Sequence, residues 1–149
     1  MDKQALKAHF DQALDAAEPD FGTSFLARFF SLDIAYGEGC CRVIFPVAEH
    51  ALNPVGKLHG GVLATALDVS MGQLIHHVTG QGGSTVELKI QYLRPADKGR
   101  ITCEARFLKQ GRSLGFMESR ATDEEGRLVA IATATWAMPR LPEPGSPVG

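Results

Sequence analysis

The sequence has few cysteines and no long apolar run. Its 149 residues include three cysteines, which cannot all pair within one chain, and the neighbours Cys40 and Cys41 would rarely bond each other. No apolar stretch approaches the roughly 20 residues that cross a bilayer, and the first residues lack the basic and apolar segments of a secretory signal. We therefore expect reduced thiols, no membrane partner and a cytoplasmic location.

An excess of positive charge is also absent. Fifteen Lys and Arg residues stand against seventeen Asp and Glu residues, which gives a formal net charge of −2. A protein that coats nucleic acid needs a positive field over much of its surface, so we expect no nucleic-acid partner. An anionic small molecule would have to meet a local group of cations.

The length and composition are typical of one globular domain. A chain of this length buries roughly 70% of its unfolded surface, and 44% of its residues are hydrophobic. We predict a single domain over residues 1–138, whose first 30 residues form a helical segment. Residues 139–149 contain four prolines and two glycines and are predicted to be a disordered tail.

The hydrophobic pattern predicts two short N-terminal helices, a hairpin, one long helix and four further strands. The predicted helices cover 2–17, 21–30 and 60–78, and the predicted strands cover 31–36, 41–47, 86–92, 101–107, 113–122 and 128–138. The long helix is apolar almost all round, which is typical of a buried helix. The fold class is therefore α+β, with an antiparallel sheet of about six strands packed on one central helix and the last four strands forming a meander. One helix cannot cover both faces of such a sheet, so the other face is polar or packs against another subunit.

The start of the long helix carries the densest chemical pattern. His59-Gly60-Gly61 follows a loop that begins with Asn53. Glycines that open a helix leave backbone N–H groups accessible at the positive end of the helix dipole, where they can hold an oxyanion. The alternative is that the glycines only permit a tight junction between loop and helix.

Asp68 lies in the middle of the same apolar helix. A buried carboxylate is costly unless it is paired, and there is no Lys or Arg between Lys57 and Lys89. Small residues on the same helix face leave room for water or a substrate beside it. The alternative is a structural aspartate that is hydrogen-bonded to Thr65, Ser70 or the backbone.

Asn53, His59-Gly60-Gly61 and Asp68, followed by the segments 86–95 and 109–113, resemble the hotdog-fold acyl-CoA thioesterases of the PaaI and 4-hydroxybenzoyl-CoA thioesterase type. The likeness runs from about residue 32 to residue 137. It implies the hotdog fold, in which an antiparallel sheet wraps one long helix. It also implies a homodimer or homotetramer with active sites at the interface between protomers.

The resemblance implies a role for each motif residue. The amide of Gly60 would hold the thioester carbonyl, and Asn53 would hold that oxygen or the attacking water. Asp68 of the other protomer would act as general base or as nucleophile, two roles that stay open. His59 would shape and polarise the site. Thr85 would orient the water, although strict alternation with its strand neighbour places its side chain on the polar face unless the strand twists.

Coenzyme A would be part of the substrate, and the resemblance implies no separate cofactor. Its tail would lie along residues from two segments, namely Tyr92, Arg94, Pro95, Lys109, Gly111, Arg112 and Ser113. We expect no metal site, because His76 and His77 point about 100° apart on a helix and the other histidines lack ligands at metal-binding spacing.

The leading hypothesis is hydrolysis of an acyl-CoA, with an aryl or medium-chain acyl group, to the free acid and coenzyme A. Two alternatives remain, a non-catalytic acyl-CoA-binding module and a dehydratase acting on hydroxyacyl thioesters. The candidates for an acyl pocket, although such residues more often belong to the core, are Phe25, Phe29, Phe30, Met71, Ile75 and Phe116.

Overall fold

The computed structural model describes residues 1–140, so the predicted tail lies almost entirely outside the described residues. Within these residues, three α-helices and six strands follow one another. They are α1 (Lys3–Asp15), α2 (Phe25–Phe29), β1 (Asp33–Gly37), β2 (Cys40–Pro46), α3 (Gly60–Thr79), β3 (Ser84–Tyr92), β4 (Arg100–Gln110), β5 (Leu114–Thr122) and β6 (Leu128–Ala137). A short 3₁₀ turn, Glu49–Ala51, precedes α3.

The N-terminal helices are shorter than the sequence predicts. Helix α1 begins after Asp2, whose Oδ1 accepts hydrogen bonds from the backbone N–H groups of Gln4 and Ala5 at 2.9 and 3.2 Å. This side chain therefore caps the helix instead of belonging to it. Helix α2 covers only five residues, because residues 19–24 form an irregular loop that packs against α3.

All six strands form one antiparallel sheet in the order β1-β2-β4-β5-β6-β3. The predicted meander of the last four strands is wrong in one respect, since β3 pairs with β6 and not with β4. The segment 93–99 crosses the end of the sheet to reach β4. It is held there by hydrogen bonds, with Leu93 and Arg94 donating to the Val129 carbonyl and Leu58 donating to the Ala96 carbonyl.

Helix α3 packs inside the curved sheet and contacts strands β1 to β5. Its core face is fully buried and includes Leu67, Met71, Leu74 and Ile75. The prediction of a helix buried all round is too strong, because the side of α3 that carries Asp68, Val69 and Gly72 is only half-buried. The six-stranded antiparallel sheet, the long central helix and the N-terminal helix confirm the predicted fold class.

All three cysteines are buried and unbonded. Burial raises the pKa of the Cys41 thiol to about 12 and raises the pKa of the Cys103 thiol as well, so both remain neutral and unreactive at physiological pH. Among the helices that the structure describes, none is long and apolar enough to cross a membrane.

A pair of buried hydroxyls ties α3 to β5. Ser70 Oγ donates to the Leu67 carbonyl at 2.7 Å and lies 2.8 Å from Ser119 Oγ, and both serines are fully buried. Because Ser70 Oγ donates its proton to Leu67, it accepts the hydrogen bond from the Ser119 hydroxyl. Neither hydroxyl is therefore left unpaired in the apolar core.

We expect Ser119→Ala to lower the free energy of unfolding by about 1 kcal/mol, because it removes one buried hydrogen bond while Ser70 keeps its bond to Leu67. Urea denaturation measures this change, and Thr133→Ala, at an exposed position on β6, is the control. In the Ser70→Ala background the same substitution should cost much less. Equal costs in both backgrounds would show that the two hydroxyls are not coupled.

Candidate active site

The first turn of α3 leaves one backbone amide available. The Gly61 N–H donates to His59 Nδ1 at 2.9 Å, and the N–H groups of Val62 and Leu63 donate to the His59 carbonyl at 3.0 and 3.2 Å. Among the described residues, the Gly60 N–H has no acceptor. It is therefore the free donor at the positive end of the helix, where an anionic oxygen is stabilised.

His59 is the N-cap of α3. Its Nδ1 accepts the Gly61 N–H, so that nitrogen carries no proton and the proton of the neutral ring lies on Nε2. The imidazole thus accepts the hydrogen bond of the second helical amide, that of Gly61, and leaves the first amide, that of Gly60, available.

The side-chain oxygen of Asn53 accepts backbone hydrogen bonds, and its amide nitrogen is available as a donor. Its Oδ1 accepts the backbone N–H groups of Val55 and Lys57, both at 3.1 Å, and these two bonds close the loop before α3. The pairing fixes which end of the amide carries the oxygen. The Nδ2 group is left as a donor, and Asn53 and Gly60 line the same cleft.

Tyr92 covers the start of α3. Its hydroxyl donates to the Gly60 carbonyl at 2.8 Å, and a Cβ atom placed on Gly60 would lie 3.3 Å from the tyrosine ring. A glycine is therefore needed at this position for the ring to approach so closely. The sequence predicts Tyr92 only as a coenzyme A contact, and its bond to the helix backbone is found only in the structure.

Five of the predicted site residues line one cleft of about 390 Å³. They are Asn53, Gly60, Tyr92, Arg94 and Pro95. Lys57 lines the same cleft and forms an ion pair with Asp97. The sequence does not predict this ion pair, because its two residues are forty positions apart in the chain. Arg94 Nη1 donates to the Leu128 carbonyl at 2.8 Å, so one edge of its guanidinium is anchored and its other donors remain available.

Asp68 lies elsewhere on α3, with Thr85 as its partner. Thr85 Oγ1 donates to Asp68 Oδ1 at 2.8 Å. Strict alternation would place Thr85 on the polar face, but the register of β3 against β6 shifts by a bulge between Thr85 and Glu87. The bulge turns the threonine towards the helix, as bulges commonly re-aim side chains.

The hydrogen bonds from Thr65 and Ser70 that the structural alternative names for Asp68 are not formed. Thr65 Oγ1 donates to the Gly61 carbonyl, and Ser70 Oγ donates to the Leu67 carbonyl. Neither hydroxyl reaches the aspartate. Burial raises the pKa of the Asp68 carboxyl above its ordinary value, and the hydrogen bond from Thr85 partly offsets this rise. A carboxyl group with a raised pKa is a better proton acceptor near neutral pH.

The remaining predicted coenzyme A contacts lie at the other end of the sheet. Lys109, Gly111, Arg112 and Ser113 are at the turn between β4 and β5. At this end Gly115 pairs with Trp136, and Trp136 in turn pairs with Thr85. The turn is thus at the Asp68 end of the protomer, whereas the cleft with Arg94 is at the Gly60 end.

The neighbouring histidines near the end of α3 each contact an aromatic ring. His76 stacks on Phe21 and His77 stacks on Tyr36, so the two rings pack against different neighbours. Within residues 1–140 no three His, Cys, Asp or Glu side chains form a group that could hold a metal ion.

Comparison with known proteins identifies the family of this chain. The family model of the thioesterase superfamily matches residues 55–130. Human acyl-coenzyme A thioesterase 13 is 34% identical over 108 residues, which cover 70% of this chain and 76% of that protein. A Bacillus halodurans protein whose crystal structure was solved with CoA is 26% identical, has a TM-score of 0.82 and is matched over 93% of this chain and 94% of its own. A Pseudomonas aeruginosa protein, PA5202, is 33% identical with a TM-score of 0.70, over 74% of this chain and 90% of its own.

The chain belongs to the thioesterase superfamily. It has the hotdog fold of that superfamily, in which the sheet wraps the long helix α3, and it is a thioester hydrolase.

We expect Thr85→Val to raise the pKa of Asp68 further. The substitution removes the hydrogen bond that stabilises the ionised carboxylate and keeps the burial that disfavours it. Titration of the Asp68 carboxyl carbon by NMR measures the shift, and Thr133→Val is a control on the neighbouring strand. An unchanged or lower pKa would show that Thr85 does not stabilise the ionised form.

Proposed function

We propose that the protein hydrolyses acyl-CoA thioesters to the free acid and coenzyme A at a site built by two copies of the chain. The observation that carries this proposal is the separation of two complementary groups on one helix. The free Gly60 amide can stabilise an oxyanion, and Asp68 can activate water or attack a carbonyl.

Within one protomer these groups are too far apart to act on the same thioester. Asp68 follows Gly60 by eight residues, which is about 12 Å along a helix at 1.5 Å per residue. The carbonyl oxygen and the carbonyl carbon of a thioester are bonded to each other, so the groups that serve them must converge within a few ångströms. A second protomer supplies the missing half.

The exposed edge of β3 supports a specific arrangement. This nine-residue strand pairs with β6 on one side only, and Val86 on it is 62% exposed. An unpaired strand edge is a template for pairing with another chain. If two β3 strands pair antiparallel about Leu88, Thr85 of one protomer lies beside the Tyr92 end of the other. Asp68, which is bonded to Thr85, then approaches the Gly60 that Tyr92 covers.

The same symmetry gathers the predicted coenzyme A contacts. Arg94 and the β4–β5 turn lie at opposite ends of the sheet of one protomer, and the seven residues from Thr85 to Tyr92 alone span about 23 Å at the rise of a β-strand. Across the proposed interface, Lys109 and Arg112 of one copy come towards Lys57 and Arg94 of the other. This creates a local positive group for the phosphates of coenzyme A on a chain whose net charge is −2.

The reaction then follows from the donors and acceptors. The Gly60 N–H and the Asn53 Nδ2 group donate to the thioester oxygen as it gains negative charge. Asp68 either takes a proton from water, whose oxygen adds to the carbonyl carbon, or forms an acyl anhydride that water then opens. In both routes the bond between carbon and sulfur breaks, the sulfur leaves as the coenzyme A thiolate and takes up a proton, and a carboxylic acid is formed.

Removing the carboxylate tests the chemistry directly. We expect Asp68→Asn to abolish release of free thiol from acyl-CoAs of aryl and medium-chain type, measured with DTNB. At neutral pH the variant should melt at the same or a higher temperature than the wild type, because the wild type buries an ionised carboxylate whose pKa burial raises. This difference should shrink as the pH falls through the raised pKa.

Retained thiol release in Asp68→Asn would contradict the proposed role. A wild type that binds acyl-CoA without releasing thiol would be a binding module, and one that converts a hydroxyacyl-CoA to an enoyl product with the thioester intact would be a dehydratase.

Mixed dimers test whether the site is shared. A heterodimer of Asp68→Asn and Asn53→Asp subunits, isolated with two affinity tags, should keep one intact site and about half of the wild-type rate. Asn53→Asp retains the oxygen that accepts from Val55 and Lys57 and loses the amide donor.

The control is a heterodimer in which one subunit carries both changes and the other carries none. Every shared site then holds one defect, so this dimer should be inactive. If each site lay within one protomer, the activities of the two heterodimers would be reversed.

A further inference from the structure

The first residue of α3 is held by a side chain from another element. Tyr92, the last residue of β3, donates its hydroxyl hydrogen bond to the Gly60 carbonyl at 2.8 Å. The resemblance to thioesterases implies only a coenzyme A contact for this tyrosine, and no step of the proposed reaction uses the bond. Its acceptor, however, belongs to the residue whose N–H is the free donor of the site.

Glycine gives the first turn of a helix little rigidity of its own. It has the greatest backbone freedom of all residues, and in a helix it is less favourable than alanine by about 1 kcal/mol. Helix ends also fray, and an N–H group changes direction when they do. The Tyr92 ring lies 3.3 Å from the place where a Cβ atom of Gly60 would be, so the ring restrains this residue on the side that lacks a side chain.

Hydrogen bonds fix both peptide groups that flank the Gly60 Cα atom. The first group contains the His59 carbonyl, which accepts from Val62 and Leu63, and it also contains the Gly60 N–H. The second group contains the Gly60 carbonyl, which accepts from Tyr92. Because only the φ and ψ angles of Gly60 lie between the two groups, the tyrosine keeps this residue helical and its free N–H in one direction.

Tyr92 is itself firmly placed in the sheet. It pairs with Ala130 on β6, and the two residues that follow it, Leu93 and Arg94, donate to the Val129 carbonyl at 2.8 and 3.1 Å. Partial burial raises the pKa of the Tyr92 hydroxyl, so the group keeps its proton and remains a donor at neutral pH. The side chain therefore links a fixed strand to the start of the helix.

Strand β3 carries a second hydroxyl of the same kind at its other end. Thr85 donates to Asp68 at 2.8 Å, as Tyr92 donates to Gly60. One strand thus contacts both groups of α3 to which the proposed reaction assigns chemistry. In the proposed dimer, the tyrosine of one copy and the threonine of the other serve the same site.

We propose that Tyr92 is a positioning residue of the reaction, whose hydroxyl holds Gly60 so that the amide of this glycine is aimed at the thioester oxygen. The proposal rests on the proposed function and adds a residue to its oxyanion-binding half. The thioester oxygen gains its negative charge only in the transition state. A misdirected amide therefore lowers kcat, whereas the loss of a coenzyme A contact raises KM.

Tyr92→Phe removes the hydroxyl and keeps the ring. We expect kcat for thiol release to fall about tenfold, because the amide is misdirected but not lost, and the loss of a whole oxyanion donor costs more than this. The KM for acyl-CoA and the inhibition constant of coenzyme A should stay close to those of the wild type. A raised KM with an unchanged kcat would show that Tyr92 only binds coenzyme A, and the proposal would be wrong.

The second tyrosine of the chain provides a matched control. Tyr36 is 45% exposed and Tyr92 is 53% exposed, and the Tyr36 hydroxyl also donates at 2.8 Å, to Gln73. We expect Tyr36→Phe to leave kcat and KM unchanged. An equal fall of kcat in both variants would contradict a specific role of Tyr92.

A double-mutant cycle tests the contact between the ring and the glycine. Gly60→Ala keeps the N–H donor but places a Cβ atom 3.3 Å from the Tyr92 ring, so we expect it to lower kcat by displacing the ring. In the Tyr92→Leu background, which lacks the ring, the same substitution should cost much less. Equal costs in the two backgrounds would show that the ring does not restrain Gly60.

Backbone ¹⁵N relaxation measures the restraint without turnover. We expect the Gly60 N–H of the wild type to have an order parameter near 0.85, typical of rigid backbone, and that of Tyr92→Phe to have a clearly lower one. The Gly61 N–H, which His59 holds in both proteins, is the internal reference.

An unchanged Gly60 order parameter in Tyr92→Phe would overturn the positioning role even if thiol release is normal. A wild type that hydrolyses no acyl-CoA would instead overturn the proposed function, and the relaxation result would still show whether Tyr92 restrains Gly60. The two failures are thus distinguishable.

Discussion

The packing of α3 into the hollow of the sheet is the constraint on which the other features depend. The core residues Leu67, Met71 and Leu74 fix the rotation of the helix about its axis. That rotation turns Asp68 towards β3 and brings Gly72 and Gln73 beside the loop 19–24. The same helix begins at Gly60, so one packing interface positions its dipole, its half-buried carboxylate and the cleft beside it.

The polar groups of this helix divide into those with partners and those without. Ser70 and Thr65 are satisfied by the helix backbone, and His59 satisfies Gly61. In residues 1–140 the Gly60 N–H has no acceptor, and the Asp68 carboxylate accepts one side-chain hydrogen bond, from Thr85. Burial makes the ionised form of Asp68 unfavourable, and the single bond from Thr85 compensates only in part. The protein thus tolerates a locally unfavourable group at this position, as proteins do at functional sites.

The sequence predicts the features that depend on neighbouring residues. Helix α3 starts at the predicted residue, Gly60, because the glycine pair and the apolar period mark its start clearly. The placement of β3 beside β6 and the bulge at Thr85 are not predictable in this way, because both arise from pairing between strands far apart in the chain. The burial of Gln73 is not predicted for the same reason, because its side chain accepts a hydrogen bond from Tyr36, a residue on another element. The motif residues are identified through their resemblance to a family, and their convergence across two protomers is part of the proposed function.

The position of β3 at the edge beside β6 also determines when Asp68 acquires its partner. Thr85 pairs with Trp136, about fifty residues later, on the last strand of the sheet. Contacts between residues so far apart form slowly, because the loop between them must first be closed. During synthesis, the helix with its carboxylate therefore exists before the strand that orients the threonine can be seated. The hydrogen bond from Thr85 to Asp68 is therefore among the last contacts that the chain completes, together with the part of the core that β6 supplies.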